Sequence, residues 1–184
     1  MARVTEKPLA ALGAALAFAA CGSAAAQEVA IAARGSPDAQ FLMDAVRGDL
    51  AEVKLGELAQ EKGQSEGVRE FGEMLAEDHS KAGKKTADLA KELDVNTPDQ
   101  PTAEQTQQHD ALARLSGAEF DRQFAAAMVK GHQEDIAKYE EQAQLGDSKV
   151  AELAEDLLPT LKQHLAAAQR LQSGGDASHD RPHN

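Results

Sequence analysis

MLAEDHSKAGKK, residues 74–85, reads as helix and lies inside a longer pattern. Val68, Phe71, Leu75, Ala82, Thr86, Leu89 and Leu93 recur at helical spacing over about seven turns. At about 100° per residue, His79 falls on the same side as Leu75, Ala82, Leu89 and Leu93. A helix this long with one apolar stripe has to bury that stripe against other helices. The histidine within it is therefore either a core residue held by a hydrogen bond or a ligand.

Working outward, the chain divides into further helical stretches. Ser36-Pro37-Asp38 opens a first long helix with a capping hydroxyl, a proline preset for the first turn and an acid facing the dipole. It runs to about Lys62, where Gly63 is expected to supply a left-handed stop. Ser65 then opens the helix that carries His79. Pro98 and Pro101 break the chain, and Thr102-Ala103-Glu104-Gln105 is a capping box for a short helix ending near Leu115. Ser116-Gly117-Ala118-Glu119 reads as a second capping box, starting a helix that ends at Gly146. Asp147 or Ser148 caps the last helix, which reaches about Leu171 and is interrupted by Pro159, where a kink is expected.

Two of the connections are short and one, Asp94–Ser116, is long. Short turns make antiparallel neighbours, and a link of that length can cross the end-to-end span of a long helix. The expected fold class is all-α. Its architecture is a ferritin-like four-helix bundle with a long crossover between the second and third long helices, containing a short extra helix. Residues 36–172 form this domain, after a tether at 27–35 and before a polar tail, 173–184, expected to be disordered.

The first 26 residues read as an export signal. Arg3 and Lys7 precede an apolar run, Leu9–Ala20, which is too short to span a membrane. Two processing routes are open: cleavage before Gln27 after Ala24-Ala25-Ala26, giving a soluble protein, or a lipid anchor at Cys21 within FAAC. Either leaves the chain periplasmic or otherwise outside the cytoplasm, and no transmembrane segment follows residue 26. Cys21 is the one cysteine, which excludes an internal disulfide, a cysteine zinc site and a C-x-x-C-H haem attachment. A formal net charge of −12 repels nucleic acid and anionic lipid and suits cations. A homo-oligomer or a protein partner in the envelope is left open.

His79 has company. His132 shares a face with Ala125, Met128, Ile136, Tyr139 and Ala143, and His164 lies among Leu153, Leu157, Leu161, Ala168 and Leu171. Glu52 shares its face with Phe41, Ala45, Leu55 and Ala59. At about 1.5 Å per residue, all four fall about 16–22 Å from one end of the bundle. Burying four polar groups in one layer costs several kcal/mol unless they pair or bind an ion. A divalent transition metal (Fe, Zn, Cu or Mn) satisfies all of them at once. Asp135, three residues after His132, adds a chelating spacing, so the candidate metal ligands are Glu52, His79, His132, His164 and Asp135. A hydrogen-bonded network without metal is the alternative. Glu140 is placed at the bundle edge and His109 at the surface. His179 and His183 belong to the solvated tail, and Met43, Met74 and Met128 are core filler. No catalytic motif of the nucleophile-elbow, P-loop or dinucleotide type is present.

Four segments in order, GDLAEVKLGELAQEKG, FGEMLAEDHSKA, LSGAEFDRQFAAAMVKGHQEDIAKYEEQAQ and LPTLKQHLAAAQ, resemble an exported bacterial ferritin-like family catalogued as a domain of unknown function, of DUF4142 type. The resemblance spans residues 38–172. It implies a ferritin-like bundle whose polar motif falls on Glu52, His79, His132 and His164. The Glu-x-x-His pairs of di-iron ferritins are missing, since Ala76 and Leu161 stand where the glutamates would be. Ferroxidase-type activity is therefore not expected, and a mononuclear, histidine-rich site is easier to build. Two functions follow: a periplasmic metal-binding bundle serving metal handling or envelope stress, or a non-catalytic envelope protein that acts by interaction, with structural histidines. A b-type haem bundle has no pocket signature to support it.

Overall fold

The computed structural model describes residues 35–174. The export signal, Cys21, nearly all of the tether and most of the tail, with His179 and His183, lie outside the described residues. Four long helices and one short one make up the domain: α1 (Pro37–Lys62), α2 (Glu66–Glu92), α3 (Ala103–Ala113), α4 (Gly117–Ala143) and α5 (Lys149–Gln172). The Ser36 hydroxyl caps α1 by accepting from Ala39 N–H, with Pro37 in its first turn. Ser65 caps α2 and Ser148 caps α5 in the same way. Thr102 and Gln105 form the full reciprocal capping box on α3.

Contacts at the two ends of the bundle fix how the helices run. Asp121, in the first turns of α4, accepts from the backbone N–H groups of Gln64 and Ser65 in the α1–α2 turn, at 2.8 Å each. Lys62 donates to the carbonyl of Leu115 at that same end. At the opposite end Gln142 donates to Asp38, and Lys149 pairs with Glu92. So α1 and α5 run one way, α2 and α4 the other, and the crossover carrying α3 returns the chain along the bundle. No described helix is long and apolar enough to cross a membrane.

Apolar packing divides into two ends. Leu55, Leu58, Val68, Phe71, Leu75, Leu112, Phe120, Phe124 and Met128 form one cluster near the α1–α2 turn. Leu42, Ala90, Val150 and Leu153, with Ala45, Ile136, Tyr139 and Leu161, fill the other end. Phe71, Phe120 and Phe124 are fully buried, each contributing about 1.5–3 kcal/mol. Between the two ends lies a polar layer.

Several local expectations are corrected. Gly63 is not left-handed: its φ is −56°. It is glycine because a Cβ there would sit 2.6 Å from the Ala59 carbonyl oxygen and 2.8 Å from Val68 Cγ1. Ser116 makes no side-chain capping bond, because Gly117 enters α4 at φ +61° and carries the chain away from that geometry. The helix α4 ends at Ala143 rather than Gly146, and the left-handed backbone at Gly146 (φ +113°) belongs to the turn that follows. Leu93 is exposed because α2 has ended one residue earlier. Pro159 lies inside α5, which continues from Lys149 to Gln172.

Candidate metal centre

Five ionisable side chains are buried in the layer between the apolar ends: Asp49 and Glu52 on α1, His79 on α2, His132 on α4 and His164 on α5. One ring nitrogen from each histidine lies within 4.8 Å of the other two. Their ring centroids are 5.2–5.8 Å apart.

What each ring does with its other nitrogen decides the chemistry. The His79 Nδ1–H donates to Asp49 Oδ1 at 2.8 Å. The His132 Nδ1–H donates to the Met128 carbonyl at 3.0 Å, and the His164 Nε2–H to Asp78 Oδ2 at 3.2 Å. Carbonyl and carboxylate oxygens only accept, so each ring's proton is committed outward. A neutral imidazole has one N–H, which leaves His79 Nε2, His132 Nε2 and His164 Nδ1 as lone pairs. Of these, His79 Nε2 has no hydrogen-bond partner among the described residues. His132 Nε2 and His164 Nδ1 face each other at 3.3 Å. Two nitrogens bound to one tetrahedral ion at about 2.0–2.1 Å stand about 3.3 Å apart. The outward acceptors are the orienting partners that metal-binding histidines require.

Protonation of the rings follows from their surroundings. Burial, with the nearby His164 and His79, drives His132 down to about 3. Burial lowers His164 too, against the pull of Asp78. Both shifts favour the neutral rings, the form in which an imidazole nitrogen can bind a cation. For His79 burial is the largest influence and pushes downward, yet the Asp49 hydrogen bond and the charges of Glu52, Asp49 and Asp135 outweigh it, and its pKa rises. Asp78 is lowered chiefly by the hydrogen bond from His164.

The carboxylates are arranged around the trio rather than within it. Burial pushes Glu52 up to about 7, and its Oε2 has no hydrogen-bond partner among the described residues. Across from it Gly131 leaves room: a Cβ there would lie 3.8 Å from Glu52 Oε1. Asp135 does not join His132 in a chelate. It pairs with Lys138 at 3.0 Å and stands partly exposed, although its charge reaches Asp49, Glu52 and His79. Glu140 is bonded to Lys162, and His109 pairs with Asp110 away from the layer.

Asp49 and Asp78 were missed by the sequence reading. Asp49 precedes Glu52 by three, a helical spacing that puts both on one face, and that signal was available. Asp78 owes its role to α5, so nothing in its own helix announces it.

With the geometry in view, the chain can be set beside known proteins. The family described as "Domain of unknown function (DUF4142)" matches residues 23–171. The chain belongs to that family. It is also similar to a DUF305 fragment from Deinococcus radiodurans, whose crystal structure gives a TM-score of 0.67 at 15% identity, over 76% of this chain and 97% of that one. Likeness at that identity shows the fold alone. No curated protein matches the chain.

Proposed function

We propose that this DUF4142 protein binds a transition metal in mid-bundle, working outside the cytoplasm in metal handling or envelope stress. One observation carries the reading: three histidines on three helices, each with a ring nitrogen held by an oxygen acceptor, bring one ring nitrogen apiece within 4.8 Å of one another. His79, His132 and His164 are the proposed ligands, and Glu52 is the nearby carboxylate that offsets charge. Bound there, Zn, Cu, Fe or Mn would supply the common electrophile that the lone pairs lack. The extracytoplasmic setting rests on the layout of residues 1–26.

Ligand at about a hundred times its dissociation constant stabilises by about 2.7 kcal/mol, or about 5–10 °C in melting temperature for a domain of this size. The full chain melts higher by that amount with one of these metals than after chelation. His132→Ala abolishes the difference, whereas His109→Ala leaves it intact. Because the raised His79 must lose a proton to bind, affinity weakens as pH falls through a range above the usual imidazole value.

A second reading has its own support: His79 Nδ1 already pairs with the buried Asp49 carboxylate at 2.8 Å, a contact that favours its protonated form and needs no metal. In that case the histidines are structural and the bundle acts by protein interaction. Unchanged melting with all four metals decides for it.

A further inference from the structure

A cleft of about 50 Å³ opens between α1 and α4 and reaches His79. Asp44, Gly48, Asp49, Asp135 and Lys138 line it, with Tyr139. Its carboxylates stand at successive depths. The Asp44 side chain is 54% exposed at the rim, Asp135 31%, and Asp49 6% at the floor beside His79, also 6%. The floor is where unpaired polar atoms collect. Asp49 Oδ2 and His79 Nε2 are buried and have no hydrogen-bond partner among the described residues.

A second void, lined by Asp49, Asp78, His79, Thr160 and His164, is only about 10 Å³. One water needs about 10–15 Å³ by the same measure, so the larger cleft holds a few waters and the smaller at most one. Each Asp78 oxygen already has a partner, one His164 and the other Lys81. Asp49, with one oxygen free, lines both spaces, and size decides for the larger cleft.

Resting on the metal reading above, we propose that this cleft is the way in for the cation. A hydrated divalent ion is drawn past Asp44 and Asp135 and exchanges water for Asp49 Oδ2. It then passes to the three histidine nitrogens. Lys138, paired with Asp135 at the rim, yields that carboxylate to the arriving ion and so slows it. Nothing is oxidised or reduced. Water leaves the ion as protein oxygens and nitrogens replace it.

Loading of the full chain with Co²⁺ alone, followed by its visible absorption in stopped flow, tests the route. Gly48 offers a plug, because a Cβ added there meets nothing within 4 Å, and leucine suits a helix better than glycine does. Gly48→Leu is expected to slow both association and dissociation on the order of tenfold or more. It leaves the affinity within about twofold, since a barrier acts on both directions alike. Asp135→Asn lowers the association rate by about threefold at low salt, and high salt removes the difference. Glu57→Gln, an exposed acid of α1 away from the cleft, changes neither rate. Unchanged rates in Gly48→Leu, with the Co²⁺ spectrum intact, overturn the route and leave the metal site standing. So does an effect of Asp135→Asn no larger than that of Glu57→Gln. No Co²⁺ spectrum in the unmodified chain overturns both.

Discussion

Glu52 and Asp49 sit three residues apart on α1, both buried and each with an oxygen lacking a hydrogen-bond partner among the described residues. For Glu52 this has a measurable cost. Its folded pKa, raised by burial from 4.5 to about 7, lies above the unfolded value, so the folded state holds the proton more tightly. Below the unfolded value both states are protonated and no penalty exists. As pH rises toward 7 the unfolded chain releases the proton first, and stability falls by on the order of 3 kcal/mol, the full penalty applying above about 7. In chelator, Glu52→Gln therefore melts higher than the unmodified protein at pH 8, and the two curves converge at pH 4. Equal melting at pH 8 contradicts the unrelieved carboxyl. Loss of the metal-induced gain in this variant identifies Glu52 as the charge that offsets the ion. Periodicity found Glu52, His79, His132 and His164 because each lies on the apolar stripe of its own helix. It missed Asp78, which is half-exposed and matters only because His164 arrives from α5.

Helices α1 and α2 touch backbone to backbone. A Cβ on Gly56 would lie 2.5 Å from the Gly72 carbonyl oxygen and 2.8 Å from the Ala76 nitrogen, and one on Gly72 would lie 2.6 Å from the Gly56 oxygen. Neither glycine has an unusual φ. Both are needed for space. Gly56→Ala gains helix propensity by about 1 kcal/mol. It must also push apart two helices packed along their length, an overpacking cost of about 1–3 kcal/mol or more. Thermal melting should show a net loss of several degrees, and because α1 carries Asp49 and α2 carries His79, metal affinity should drop as well. Melting equal to or above that of the unmodified chain refutes the close contact. Helix existence was legible because stripes, caps and prolines are local signals. Gly63 and Ser116 were misread because their surroundings come from Val68 across a turn and from the unusual Gly117 backbone. The Gly56–Gly72 contact was invisible, since two glycines on different helices reveal nothing until the helices are docked.

Across the bundle, two short turns and one long link were enough to anticipate two antiparallel pairs and a crossover. The direction of α4 was not fixed by them, because mid-helix residues stay at mid-height either way up. Asp121 settles it by capping the α1–α2 turn. Replacing it with Ala leaves two backbone N–H groups without their acceptor and should cost about 1–3 kcal/mol, measured by denaturant unfolding. A change below about 0.5 kcal/mol shows that water serves those groups equally well. The crossover has a different consequence. His79 belongs to the hairpin α1–α2, while His132 and His164 belong to the hairpin α4–α5. Cut between Asn96 and Gln100, the domain becomes two halves that each hold part of the proposed ligand set. If the metal reading holds, the ion would join two molecules, and sedimentation of the mixed halves should show reassembly strengthened by metal and reversed by chelator. Such a pair would be a split reporter, with the cation as its input and complementation as its output.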